Sequence, residues 1–86
     1  MQFEGAVIKE QGVTFAIVIV KPNVLNSTHQ CDEARNSFRI IFPGMPIILM
    51  AQDGRGTPTY QGRKDIVGFL ANTLVSQIPW KKYNYS

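Results

Sequence analysis

Val13-Thr14-Phe15-Ala16-Ile17-Val18-Ile19-Val20 and Met45-Pro46-Ile47-Ile48-Leu49-Met50-Ala51 are the two stretches whose reading decides how this chain folds. Each is apolar almost throughout. The first is rich in β-branched residues, which pack well on a pleated surface and lose rotamer freedom in a helix. A strand with one wet face alternates polar and apolar residues, whereas a strand without alternation is covered on both faces. Both stretches are therefore predicted to be neighbouring central strands. They are far shorter than the ~20 residues a membrane helix requires.

Outward from this pair, residues 2–10 alternate, with Phe3 and Val7 facing one way and Ala6 and Ile8 the other, so a strand precedes the first ribbon. Gln11-Gly12 supplies the tight turn of a hairpin, with Gly12 in the positive-φ position. Lys21-Pro22-Asn23 ends the second strand. Ser27-Thr28-His29-Gln30 fits a capping box opening a helix, with Asp32 and Glu33 placed in its first turn. Cys31, Ala34, Phe38 and Ile41 form its apolar stripe, Arg35, Asn36 and Arg39 its wet side, and Pro43-Gly44 its stop. Asp53-Gly54-Arg55-Gly56 is a turn leading to an edge strand at residues 57–60, where Pro58 cannot serve a central ladder. A second helix is predicted over residues 63–78, with Val67, Leu70, Ala71, Leu74 and Ile78 on one stripe and Pro79 beyond it. The tail from Trp80, holding Tyr83 and Tyr85 among Lys81 and Lys82, is expected to fold back as a satellite aromatic cluster.

The expected fold class is α+β: one domain over residues 1–86, with a four-stranded mixed sheet and two helices in the order β-β-α-β-β-α. The sheet order is 1-2-3-4, with a parallel central pair between two hairpins. Two helices on one face would leave the other face of the central strands bare, and a large bare apolar face is rare on a monomer. Charged residues are 17% of the chain against an average of about 25%. Either the helices take opposite faces or a second copy of the chain covers the sheet, and the low charged share favours a homodimer. The start, Met1-Gln2-Phe3-Glu4, lacks a basic segment followed by an apolar one, so a cytoplasmic protein without a membrane partner is expected.

One cysteine excludes an internal disulfide framework, and one histidine excludes a multi-histidine metal centre. Gly54-Arg55-Gly56 matches neither a dinucleotide fingerprint nor a phosphate-cradling loop, so no cofactor is read. His29 and Cys31 point some 200° apart on a helix and do not form a nucleophile–base pair. Cys31 reads as a buried structural thiol, and His29 as a surface or capping residue. The charge is uneven. Residues 1–34 carry Lys9 and Lys21 against four acids, net −2. Residues 35–86 carry seven cations against Asp53 and Asp65, net +5.

Within that basic half, Gly62-Arg63-Lys64 is the most informative point. Two cations at a helix start oppose the helix dipole, and a bound anion would reverse that penalty. The candidate ligand-binding residues are therefore Arg55, Gly62, Arg63 and Lys64, with Arg55 at the other end of the short hairpin strand. The expected function is a non-catalytic binding or interaction module. The alternative is an anion- or nucleic-acid-binding module that uses this basic helix start, with the aromatic tail available to bases.

Gly44 through Gly54, followed by Tyr60-Gln61-Gly62 and Asp65 through Leu70, resembles the closing strand–hairpin–helix of thioredoxin-like proteins. In that family a cis proline precedes the strand, and Pro46 stands at the matching place. The resemblance covers about the last 35 residues. It implies a degenerate, single-cysteine relative, because Cys31 is the only thiol and no Cys-x-x-Cys is present. The whole chain is also similar to small bacterial proteins whose resemblance implies no activity.

Overall fold

In the computed structural model, which describes residues 2–85 and leaves Met1 and Ser86 outside, both ribbons lie at the centre of one sheet. The strands are β1 (Gln2–Glu10), β2 (Val13–Ile19), β3 (Ile47–Gln52), β4 (Pro58–Gln61) and β5 (Lys81–Asn84). Their order across the sheet is β4-β3-β2-β1-β5. β2 and β3 are parallel, joined by α1 (Thr28–Arg39) after a 3-10 turn at Pro22–Asn26, and every other pairing is antiparallel. α2 (Lys64–Ala71) follows β4.

The four-stranded reading is corrected by β5. The tail does fold back, but as a fifth strand paired to residues 2–5 of β1, so β1 is not the edge there. Its docking rests on aromatic contact. Tyr83, opposite Phe3 in the register, stacks on it with centroids 4.9 Å apart and planes 7° from parallel. Phe38 of α1 meets Phe3 edge-on at 4.9 Å, and Phe42 meets Tyr83 at 5.3 Å. The two pairs that Tyr83 makes contribute about 0.5–1.5 kcal/mol each beyond area burial and add to the backbone pairing of β5 with β1.

Both faces of the sheet are covered from within the chain. Ala16, Val18, Ile47 and Leu49 face α1 and pack with Cys31, Phe38 and Phe42. Ala6, Phe15, Ile17, Ile48 and Met50 face the opposite way and pack with Ile66, Leu70 and Ile78. The helices thus take opposite faces, and the bare face that would call for a second copy of the chain is not there. Ile17, Val18, Ile48, Leu49 and Met50 are fully buried. At about 1.5–3 kcal/mol for each large apolar side chain, these alternate residues on two strands anchor both layers.

Local signals are obeyed at most boundaries. Gln11 and Gly12 both have positive φ, 51° and 79°, as a two-residue turn matching strand twist requires. The Ser27 side chain accepts from the Gln30 N–H at 3.2 Å and caps α1. Asp32 and Glu33 fall beyond the first turn of α1 and meet side chains instead, Asp32 near Arg35 and Glu33 on His29 at 2.6 Å.

The second helix is shorter than its periodicity suggests and ends at Ala71. Asn72 Nδ2 donates to the Gly68 carbonyl and Thr73 Oγ1 to the Phe69 carbonyl, taking up the acceptors of the last turn. Its buried positions are Ile66 and Leu70. Leu74, expected on the stripe, is exposed, and Ile78 reaches the core only after a further 3-10 turn at Val75–Gln77. Among the described residues no helix is long and apolar enough to cross a membrane.

Candidate functional site

The place where β4 leaves the sheet forms the site. Across β2 and β3, the carbonyls of Pro46 and Met50 accept from the N–H groups of Ala16 and Val20, at 2.9 and 2.8 Å. The carbonyls of Ile47 and Leu49 therefore face β4. Leu49 is opposite Gln61, the last residue of β4, so the ladder stops one rung short of Ile47.

The stop is made by Gly62. Its φ is 155°, and a Cβ there would lie 2.6 Å from Cδ1 of the buried Ile48. Only glycine lets the backbone pass that close on its way to α2.

Arg35 completes the interrupted ladder from α1. Its Nε donates to the Ile47 carbonyl at 3.2 Å, and its Nη2 donates to the Gln61 carbonyl at 3.3 Å and to Gln61 Oε1. The wet-side reading of Arg35 is thus corrected: its side chain is 16% exposed, and the nearest carboxylate, Asp32, is 3.7 Å away and 65% exposed. The largely buried side chain thus satisfies backbone with its guanidinium.

Around this staple lies a groove of about 320 Å³ lined by Arg35 and Arg39 of α1, Met45, Pro46 and Ile47 leading into β3, and Gln61, Gly62 and Arg63 leading into α2. Arg39 Nη1 donates to Asn36 Oδ1, a neutral acceptor, at 2.5 Å. Arg63 holds Asp65 with two parallel hydrogen bonds, Nε to Oδ1 at 2.8 Å and Nη2 to Oδ2 at 2.9 Å. That hydrogen bond, reinforced by the opposite charge, raises the Arg63 pKa. The hydrogen bond from Arg63 likewise holds the Asp65 carboxyl below the usual carboxylate range, against a smaller opposing effect of desolvation.

Of the four residues singled out from sequence, Gly62 and Arg63 line the groove. Lys64 is exposed at the first position of α2 and is not among the lining residues. Arg55 sits at the opposite end of β4, at a hairpin tip where Asp53 Oδ1 accepts from the N–H groups of Arg55 and Thr57. The four residues of β4, a strand length of roughly 13 Å, lie between it and Gly62. The structure brings in Arg35 and Arg39 instead. A signal for Arg35 existed in the spacing of Cys31, Arg35, Phe38 and Phe42, an i, i+4, i+7, i+11 series with a cation inside an apolar stripe.

Other candidates are occupied structurally. Cys31 is 2% exposed, with its Sγ donating to the Val24 carbonyl at 3.3 Å, and His29 is paired with Glu33 on the surface. All peptide bonds among the described residues are trans, including the one before Pro46. No group of three or more His, Cys, Asp or Glu among the described residues could hold a metal ion. Set against known proteins, the chain matches no family model, no curated protein and no solved structure.

Proposed function

We propose that this chain is a non-catalytic binding module that holds an anion in the groove between α1 and the start of α2. The observation that carries this reading is the presence of three arginines from two elements on one groove, with Arg39 hydrogen-bonded to a neutral amide. Guanidinium groups present fixed forks of donors that match carboxylate and phosphate oxygens. The two other large grooves are less suited to an anion. One places Glu4 beside Lys82, and the other is largely apolar, with Lys9 its only charged lining residue.

An extended nucleic-acid surface is the weaker alternative. Such a module offers aromatic faces to bases. Here Tyr83 is stacked on Phe3, and Trp80 Nε1 donates to the Val75 carbonyl at 3.0 Å, which favours a local anion site over a stacking platform.

The test is a titration of the protein with inorganic phosphate at low ionic strength, followed by NMR of backbone and arginine Nε–H signals. Saturable shifts at Arg39, Gly62 and Arg63 are expected, weakening with added salt and lost in R39A. R39A is the informative variant because Arg39 holds no backbone carbonyl of the sheet, whereas Arg35 does. An absence of saturable shifts, or shifts confined to Arg55 and the tail lysines, would overturn the reading.

A further inference from the structure

We infer that the groove selects a dianionic phosphoryl group, a phosphate monoester, and that Asp65 enforces the choice by holding Arg63 until a ligand of higher charge claims it. This rests on the anion reading above and adds the ligand class and a specificity-determining residue.

The three arginines are not equally available. Arg35 is committed to Ile47 and Gln61. Among the described residues Arg39 bonds a neutral side chain, Asn36, at 2.5 Å. Arg63 is already engaged by a carboxylate in the two-point geometry a carboxylate ligand would use. The side chains of that pair are 50% and 58% exposed, so water screens it and it opens readily.

Exchange then depends on ligand charge. A singly charged carboxylate or an internal phosphodiester can bind Arg39, but at Arg63 it replaces one monoanion by another and gains nothing. A phosphate monoester carries nearly two charges at neutral pH and three strong acceptor oxygens. It can engage Arg39 and Arg63 together, and the second charge offsets the loss of Asp65. Met45, Pro46 and Ile47 lie along the same groove, leaving a less polar wall for the group that bears the phosphoryl. Asp65 is thus a built-in competitor that the backbone of a nucleic acid does not outbid.

The experiment measures affinities of the full chain at one near-neutral pH and low salt for methyl phosphate, dimethyl phosphate and acetate. The same titrations are run on D65N, R63A and the R63A/D65N pair. Methyl phosphate is expected to bind several-fold more tightly than either monoanion. D65N should tighten it by about threefold to fivefold, the range an exposed ion pair can supply, and most of that gain should vanish when Arg63 is also removed. Glycerol 3-phosphate and a phosphoserine tripeptide then distinguish a small-molecule source from a protein-borne one, and binding of either at least as tight as methyl phosphate supports the inference.

Equal affinity for methyl phosphate and acetate, or a D65N gain that persists without Arg63, would overturn the inference while leaving the anion site in place. Failure of every anion to bind would overturn both.

Discussion

Replacing Arg35 tests whether a side chain has taken over the last rung of the β3–β4 ladder. Arg35→Ala removes donors to the Ile47 and Gln61 carbonyls at 3.2 and 3.3 Å, and a third contact to Gln61 Oε1. Hydrogen bonds from charged donors contribute about 1.5–3 kcal/mol when well formed. The two backbone contacts are longer than the usual 2.7–2.9 Å of such bonds, and water in the adjacent groove can reach the vacated carbonyls. About 1 kcal/mol for each backbone contact, plus lost packing of the stem, sums to roughly 2–3 kcal/mol. Stability for a chain of this length is on the order of 4–13 kcal/mol, so the loss is a large fraction of it. In thermal denaturation it corresponds to a Tm fall of roughly 10–20 °C.

Arg35→Lys keeps the charge and most of the stem but cannot place two donors at fixed angles. It should recover less than half of the loss. A urea series on wild type, R35A, R35K and Q61A, closed as a double-mutant cycle, measures the coupling between Arg35 and Gln61. An R35A cost below about 0.5 kcal/mol, or R35K indistinguishable from wild type, would refute the ladder-end role.

Two further outcomes follow from close contacts elsewhere in the sheet. Gly5→Ala should destabilise by about 1–3 kcal/mol in chemical denaturation, because a Cβ there would lie 2.8 Å from the Ile17 carbonyl oxygen and 3.5 Å from the rings of Phe3 and Tyr83. Strand propensity alone predicts the opposite sign, so a stabilised G5A would show that the strands have room to spare. Tyr60→Phe should be neutral or stabilising by up to about 1 kcal/mol, since the Tyr60 hydroxyl is buried without a hydrogen-bond partner among the described residues. Burial also raises the Tyr60 pKa above its ordinary value of 10.0. The unfolded chain therefore loses this proton first as pH rises, so stability is intact below about pH 10 and falls above it. Denaturation midpoints taken across that window should fall less in Y60F than in wild type.

Much of the core was legible in the sequence because it is written in contiguous residues. The runs at 13–20 and 45–51 lack alternation, and a strand buried on both faces needs none. Gln11-Gly12 and Ser27 announced a hairpin and a helix start through backbone geometry that operates over a few residues. The Cys31, Ala34, Phe38 and Ile41 stripe likewise found its cluster against the sheet.

The candidate site was half legible. Gly62 and Arg63 stand out as a local electrostatic conflict at a helix start, whereas Arg55 shares only their charge, and its expected place at the other end of β4 is where the structure has it. Arg39 reads as solvent-facing and is exposed, whereas Arg35 reads so because it is charged, although its spacing from Cys31, Phe38 and Phe42 puts it on the apolar stripe.

From the chain alone came the two central strands, their parallel connection through α1 and the edge position of β4, since each follows from local patterning and turn chemistry. Only the tertiary structure decided that Tyr83 finds Phe3, that α1 and α2 shelter opposite faces, and that Arg35 reaches Ile47 and Gln61. The physical reason is that these contacts join positions distant along the chain. Their free energy depends on where the intervening elements deliver each side chain, and no pattern within either segment records that.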